Sequence, residues 1–178
     1  MMVDHLLTYT IPAAYSLLPA KLRSDQATAM LVAIGLHESG FTHRKQVGGP
    51  ARGWWQFERI GTRDVLEHAR SKDIAETVLD ALCYAMPKAT IARLAMDLAD
   101  PLTHNDTLAC CFARLKLWTL PKPLPPREEY GQMAFEQYIQ LWKPGAYVKG
   151  SQETRQQLRA AFGHSYAEAW ARVTATTS

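Results

Sequence analysis

Gly35-Leu-His-Glu-Ser-Gly-Phe41, with Gly53-Trp-Trp-Gln-Phe57 a short way downstream, is the stretch around which the rest of the chain reads. Upstream of it Ser24 is placed to cap a helix. Ala27, Met30, Leu31, Ile34 and Glu38 then recur at the three- and four-residue steps that hold side chains on one helical face. Glu38 thus stands where the next core residue belongs. Gly40 is a helix terminator, which puts Glu38 in the last turn, where the negative end of the helix dipole disfavours an anion. Partial burial acts in the same direction. Both effects favour the protonated carboxyl that a general acid working near neutral pH requires.

A glutamate at a helix end is ordinarily a solvated carboxylate, and perturbed titratable groups mark sites only statistically. Here the downstream segment adds to it. Gly48 to Phe57 combines turn residues with two tryptophans and an amide. Read as exposed, Trp54, Trp55 and Phe57 offer aromatic faces and Gln56 a hydrogen-bonding amide, the equipment of a groove that binds sugar rings.

Glu38-Ser39-Gly40-Phe41 followed by Gly53-Trp-Trp-Gln56-Phe57 resembles the Glu-Ser and Gly-x-x-Gln motifs of the soluble lytic transglycosylase and goose-type lysozyme superfamily, in a version most similar to phage-encoded members. The resemblance runs over about residues 24 to 145. It implies a mainly helical, lysozyme-like domain in which Glu38 is the catalytic acid, Ser39 supports the substrate or the acid, and Gln56 lines the floor of the cleft. The family's third motif, Ala-Tyr-Asn, has no counterpart here. Cys111-Phe-Ala-Arg-Leu115 stands nearest to its position.

A second carboxylate decides the reaction class, and Glu58, two residues past Gln56, is the best placed. An inverting lysozyme needs it to activate water and a retaining one needs it as a nucleophile. In a lytic transglycosylase the muramoyl 6-hydroxyl attacks its own anomeric carbon, so one carboxyl serves first as acid and then as base. Glu58 has the competing reading of a surface partner for Arg52, Arg59 or Arg63. Asp64 and Glu67 are lesser candidates.

The chain has 178 residues, 47% of them hydrophobic and 21% charged, enough for one domain with a substantial core. A net charge of +3 suits an anionic polymer such as peptidoglycan, and the basic residues are scattered among acids without the dense patch of a nucleic-acid binder. Three cysteines, two of them adjacent, do not make a secreted disulfide framework and read as core. Neither a Cys-x-x-Cys nor a His-Glu-x-x-His stands in the sequence and the six histidines are far apart, so neither a metal nor another cofactor is expected. His37, beside Glu38, reads first as a surface residue or one that only backs the site, with tuning or shielding of the acid as the alternative.

Met1-Met-Val-Asp-His-Leu-Leu7 lacks the basic head, long apolar run and small-residue cleavage site of a signal peptide, so none is expected, and no apolar run is long enough to span a bilayer. Integral membrane association is not expected. The expectation is cytoplasmic synthesis and action at the cell wall, reached by holin-dependent release or by carriage in a phage virion.

Residues 2 to 22 read as one or two short helical segments broken by Pro12 and Pro19. After the 24–39 helix, residues 41 to 60 read as a loop or small β-hairpin that walls the groove. Helices follow at 62–69, 71–84, from Pro87 to Leu98 with Asp100-Pro101 as a stop, and from Asn105 or Asp106 through the apolar stripe Leu108, Cys111, Phe112 and Leu115. Arg114 on that helix is a candidate for a peptide carboxylate or Glu38 itself, with a snorkelling surface arginine as the alternative. Pro121 to Pro126 is a stiff strap beside the groove. A helix over 127–142 carries Tyr130, which could border a sugar subsite. Residues 150 to 173 form a helical extension, 174 to 178 are expected to be disordered, and residues after Gly150 are too few for an independent domain. The whole of 1–178 therefore reads as one lysozyme-like domain.

The expected activity is cleavage of the β-1,4 bond between N-acetylmuramic acid and N-acetylglucosamine, as a lytic transglycosylase. Two rivals remain: a hydrolytic muramidase using Glu38 with Glu58, and a non-catalytic glycan-binding or tail-structural protein of the same fold. A helical interaction domain in which Trp54 and Trp55 face a protein partner is a further alternative.

Overall fold

The computed structural model describes residues 2–84, 90–129 and 131–176, and among these the chain is mainly helical with no strand. The amino-terminal segment does not break at Pro12. Helix α1 (Met2–His5), a π-helical turn over Leu6–Thr10 and α2 (Ile11–Leu17) run on as one rod. Pro12 lies in the first turn of α2, and the wide turn before it absorbs the missing N–H and the bulk of the ring.

Helix α3 (Asp25–Ser39) begins where the cap chemistry requires. The Ser24 hydroxyl accepts from the Ala27 amide at 3.1 Å, and Gly40 ends the helix in a left-handed conformation with φ 57°. Its burial goes beyond one face: every residue from Ala29 to Gly35 is buried. The reason is the carboxy-terminal helix. Residues 152–176 form a single long helix, α11 (Gln152–Thr176), which packs along α3 and contributes Phe162, Tyr166, Ala169 and Val173 to the core. This segment is central where the sequence reads as a polar extension, and it stays helical beyond 173. Val173 is anchored in the core.

Between α3 and α4 (Arg59–Glu67) the chain is a loop holding two isolated bridges, Lys45 to Arg52 and Arg52 to Phe57, short of a regular hairpin. Then come α5 (Lys72–Ala81), α6 (Ile91–Asp97) and α7 (Ala99–His104). The expected helix start at Pro87 lies outside the described residues. Pro101 does not stop a helix but sits in the first turn of α7, where its lack of an N–H has no consequence.

Helix α8 (Asp106–Thr119) is the buried axis of the domain. Asn105 caps it by accepting from the Leu108 amide at 2.9 Å, and every residue from Leu108 to Leu117 is buried. Helices α2, α4, α5 and α7 pack around it. The Pro-rich strap then leads, through a short 3-10 turn at Arg127–Glu129, to α9 (Gln132–Trp142) and α10 (Gly145–Lys149). Its carbonyls are tied down by the Gln137 amide at Pro123 and the Tyr166 hydroxyl at Pro125. No described helix is long and apolar enough to cross a membrane.

Candidate active site

Glu38 lies in the last turn of α3, half-buried at the edge of a cavity of about 420 Å³. Desolvation raises its pKa from the ordinary 4.5 to about 7, and the charge of Glu58 adds to the rise. Against both, the Tyr138 hydroxyl of α9 donates to Glu38 Oε1 at 2.5 Å, a bond that favours the carboxylate. Tyr138 is itself fixed by packing, stacked 4.7 Å from the Phe162 ring and 6.3 Å from Trp142. Burial and the neighbouring Glu38 push its own pKa well up, so it remains a donor. His37 packs edge-on against Tyr138 and Phe162, and burial lowers its pKa. It therefore supports the acid through Tyr138.

The loop is pinned to α3 by the Glu-Ser-Gly-Phe element. Ser39 Oγ donates to the Trp54 carbonyl at 2.8 Å and accepts from the Phe41 amide at 3.1 Å. Phe41 folds back onto Gly35, where a Cβ would meet its ring at 2.2 Å. Ser39 thus anchors the wall that faces Glu38.

The two tryptophans correct the sequence reading. Trp54 is 4% exposed and Trp55 fully buried, so neither offers a ring face to a ligand. Arg44 covers Trp54, its guanidinium 4.1 Å from the ring centre and paired bidentately with Asp106. Trp55 donates from Nε1 to the Leu31 carbonyl and accepts at its own carbonyl from Trp142 Nε1, both at 2.8 Å. The pair knits the loop to α3 and α9. Being hydrophobic and large, they satisfy the burial rule before any binding role.

Gln56 and Phe57 do line the cavity with Glu38 and Glu58. Gln56 has φ 47°, a costly conformation for a side-chain-bearing residue. Its amide nitrogen holds the turn by donating to the Gly53 carbonyl at 2.7 Å and the His43 carbonyl at 3.3 Å. Phe57 is 3% exposed and contacts Phe112 and Trp142 edge-on or tilted, so it shapes the wall more than it presents a face. Glu58 is exposed, immediately before α4.

The same cavity is lined by Asp64, Lys116, Trp142 and Lys143. Lys116 reaches Asp64 at 3.4 Å and lies 5.7 Å over the Trp142 ring, and its burial lowers its pKa. None of Tyr138, Trp142 and Lys116 stands out as a site residue in the sequence. The first two repeat at helical spacing like any core aromatics, and Lys116 is one basic residue among many. Only the packing of α9 and α8 against α3 brings them to Glu38.

Arg114 is not at this cavity. It is 3% exposed, donates from Nε to the Leu22 carbonyl at 2.7 Å, and borders a separate cavity beside the Pro-rich strap, which likewise does not line the Glu38 site. Tyr130 lies outside the described residues. No group of His, Cys, Asp and Glu among the described residues is arranged to hold a metal ion. No family model, curated protein or solved structure matches the chain.

Proposed function

We propose that the protein is a lysozyme-like muralytic enzyme, phage- or prophage-encoded, that cleaves the β-1,4 bond between N-acetylmuramic acid and N-acetylglucosamine as a lytic transglycosylase. The observation that carries this reading is Glu38: one desolvated carboxyl with a pKa near 7, held by a tyrosine at the edge of an open cavity. Such a group is about half protonated at neutral pH and can give and retake a proton.

Glu38 donates its proton to the glycosidic oxygen as the bond to the anomeric carbon breaks and positive charge develops on the sugar. The leaving N-acetylglucosamine departs with that proton. The muramoyl 6-hydroxyl then attacks the anomeric carbon and returns a proton to Glu38, closing a 1,6-anhydro ring. Tyr138 steadies the carboxylate between the two steps through the hydrogen bond that favours the anion.

A hydrolytic muramidase is the second reading, favoured by Glu58 sharing the cavity and acting on the Glu38 charge. A non-catalytic glycan-binding protein is the third, favoured by the missing Ala-Tyr-Asn motif. Mass spectrometry of muropeptides released from purified peptidoglycan by the wild type and by Glu38→Gln separates them. Anhydro-muramic ends, absent with the variant, support the transglycosylase. Reducing muramic ends assign hydrolysis. Binding without any product from the wild type assigns the glycan-binding protein.

A further inference from the structure

A second cavity, of about 210 Å³, opens at the other end of α3, lined by Lys21, Ser24, Gln26, Arg114, Trp118 and Lys122 among others. A helix of this length sets it on the order of 20 Å from Glu38. We infer that this cavity is a binding site for a phosphate group, received by the buried Arg114 guanidinium, the Lys21 and Lys122 ammonium groups and the first turn of α3.

The first observation is the state of Arg114. Its Nε is used at the Leu22 carbonyl, and its Nη1 is buried with no hydrogen-bond partner. The neighbours that act on its charge are Tyr15 and Cys110, and burial holds the hydroxyl of the one and the thiol of the other protonated. Among the described residues no carboxylate compensates it. The contrast within the molecule is clear: Lys116, equally buried, faces Asp64, and Arg44 grips Asp106 with both nitrogens. A buried cation with no counter-ion is strongly unfavourable, and an anion taken from solution removes the penalty.

The second observation is what surrounds it. Lys21 and Arg70 lie 5.5 and 4.1 Å from the Trp118 ring centre, alongside Arg114 at 5.9 Å, so cations gather on one indole. Ser24 and Gln26 bring the start of a fifteen-residue helix to the same cavity. Ser24 occupies the Ala27 amide, while the preceding first-turn amides have no acceptor within the helix. Asp25, the acid in that turn, is exposed and does not line the cavity. Donors converging from a guanidinium, two ammonium groups and a helix start suit a tetrahedral phosphate, which accepts in several directions at once. Its source is either a soluble phosphate ester or a lipid headgroup.

This site stands independently of the proposed activity, because its test reads binding. Full-length protein labelled at arginine with 15N is titrated with inorganic phosphate and, at matched ionic strength, with chloride. The Arg114 Nε–H resonance is expected to shift with phosphate and not with chloride, and the melting temperature to rise in step. The Lys21→Gln/Lys122→Gln variant, altered only at the surface, should weaken the response about tenfold or more. Arg114→Met should abolish the rise in melting temperature, and if that variant does not fold the lysine pair still decides. Glycerol 1-phosphate that binds without protein sedimenting on phosphatidylglycerol vesicles identifies a soluble ester as the source. Sedimentation lost in the lysine variant identifies a headgroup. A response no greater than that to chloride, or a lysine variant that titrates like the wild type, overturns the site.

Discussion

The Tyr138 hydroxyl meets Glu38 Oε1 at 2.5 Å across one hundred residues of sequence. Burial raises the acid, the tyrosine lowers it, and burial is the larger of the two, leaving a pKa of about 7. Tyr138→Phe removes the group that favours the anion. The Glu38 pKa therefore moves up, and the alkaline limb of the kcat/KM profile should follow it by about one pH unit. A limb that stays in place would separate that limb from Glu38.

Glu58 acts on the same carboxyl with the opposite sign to Tyr138, since its negative charge raises Glu38. Glu58→Gln should draw the alkaline limb down, and by less than half a unit or so because Glu58 is exposed and screened. Anhydro-muramic product should continue to form. Loss of all product would make Glu58 the second catalytic carboxylate of a lysozyme.

The raised acid also makes folding pH-dependent. Glu38 binds its proton more tightly folded than unfolded, so its contribution is full below about pH 4.5 and fades as the pH climbs, gone above about 7. The interval corresponds to about 3 kcal/mol. Urea denaturation at pH 5 and pH 8 should show a larger loss of stability in the wild type than in Glu38→Gln, whose amide does not titrate. Equal losses would place the source of the pH dependence elsewhere.

Trp55 is predicted to matter to the fold before the ligand. Trp55→Ala removes a fully buried ring and the bond to the Leu31 carbonyl, and should cost about 3–5 kcal/mol in chemical denaturation. A folded variant of unchanged stability that has lost only glycan affinity would contradict this placement.

Gly53 has φ 72°, and a Cβ there would come within 2.3 Å of the Leu102 carbonyl. Gly53→Ala should therefore cost at least about 2 kcal/mol. Activity should fall further than stability alone explains, because the Gly53 carbonyl holds the Gln56 amide at the cavity. Denaturation and muropeptide release measured together check both parts.

Some of this was readable one residue at a time. The helix from Ser24 to Gly40 follows from a cap, a periodic stripe and a glycine, all local in sequence. The same information marks Glu38 as an apolar-face acid and the 41–60 segment as irregular. Pro12 and Pro101 show the limit of such rules, since proline is tolerated in a first turn whether or not a helix was expected to end there.

The sequence by itself determined a helical chain with an acid on the apolar face at a helix end, because capping and periodicity are short-range effects. Only tertiary packing decided what surrounds that acid. It turned Trp54 and Trp55 inward, moved Arg114 to the far end of α3, and set Tyr138, Trp142 and Lys116 about the cavity. It also made α11 the partner of α3. An aromatic or a cation at helical spacing has the same local pattern in a core as at a site, and the neighbours that separate the two come from distant parts of the chain.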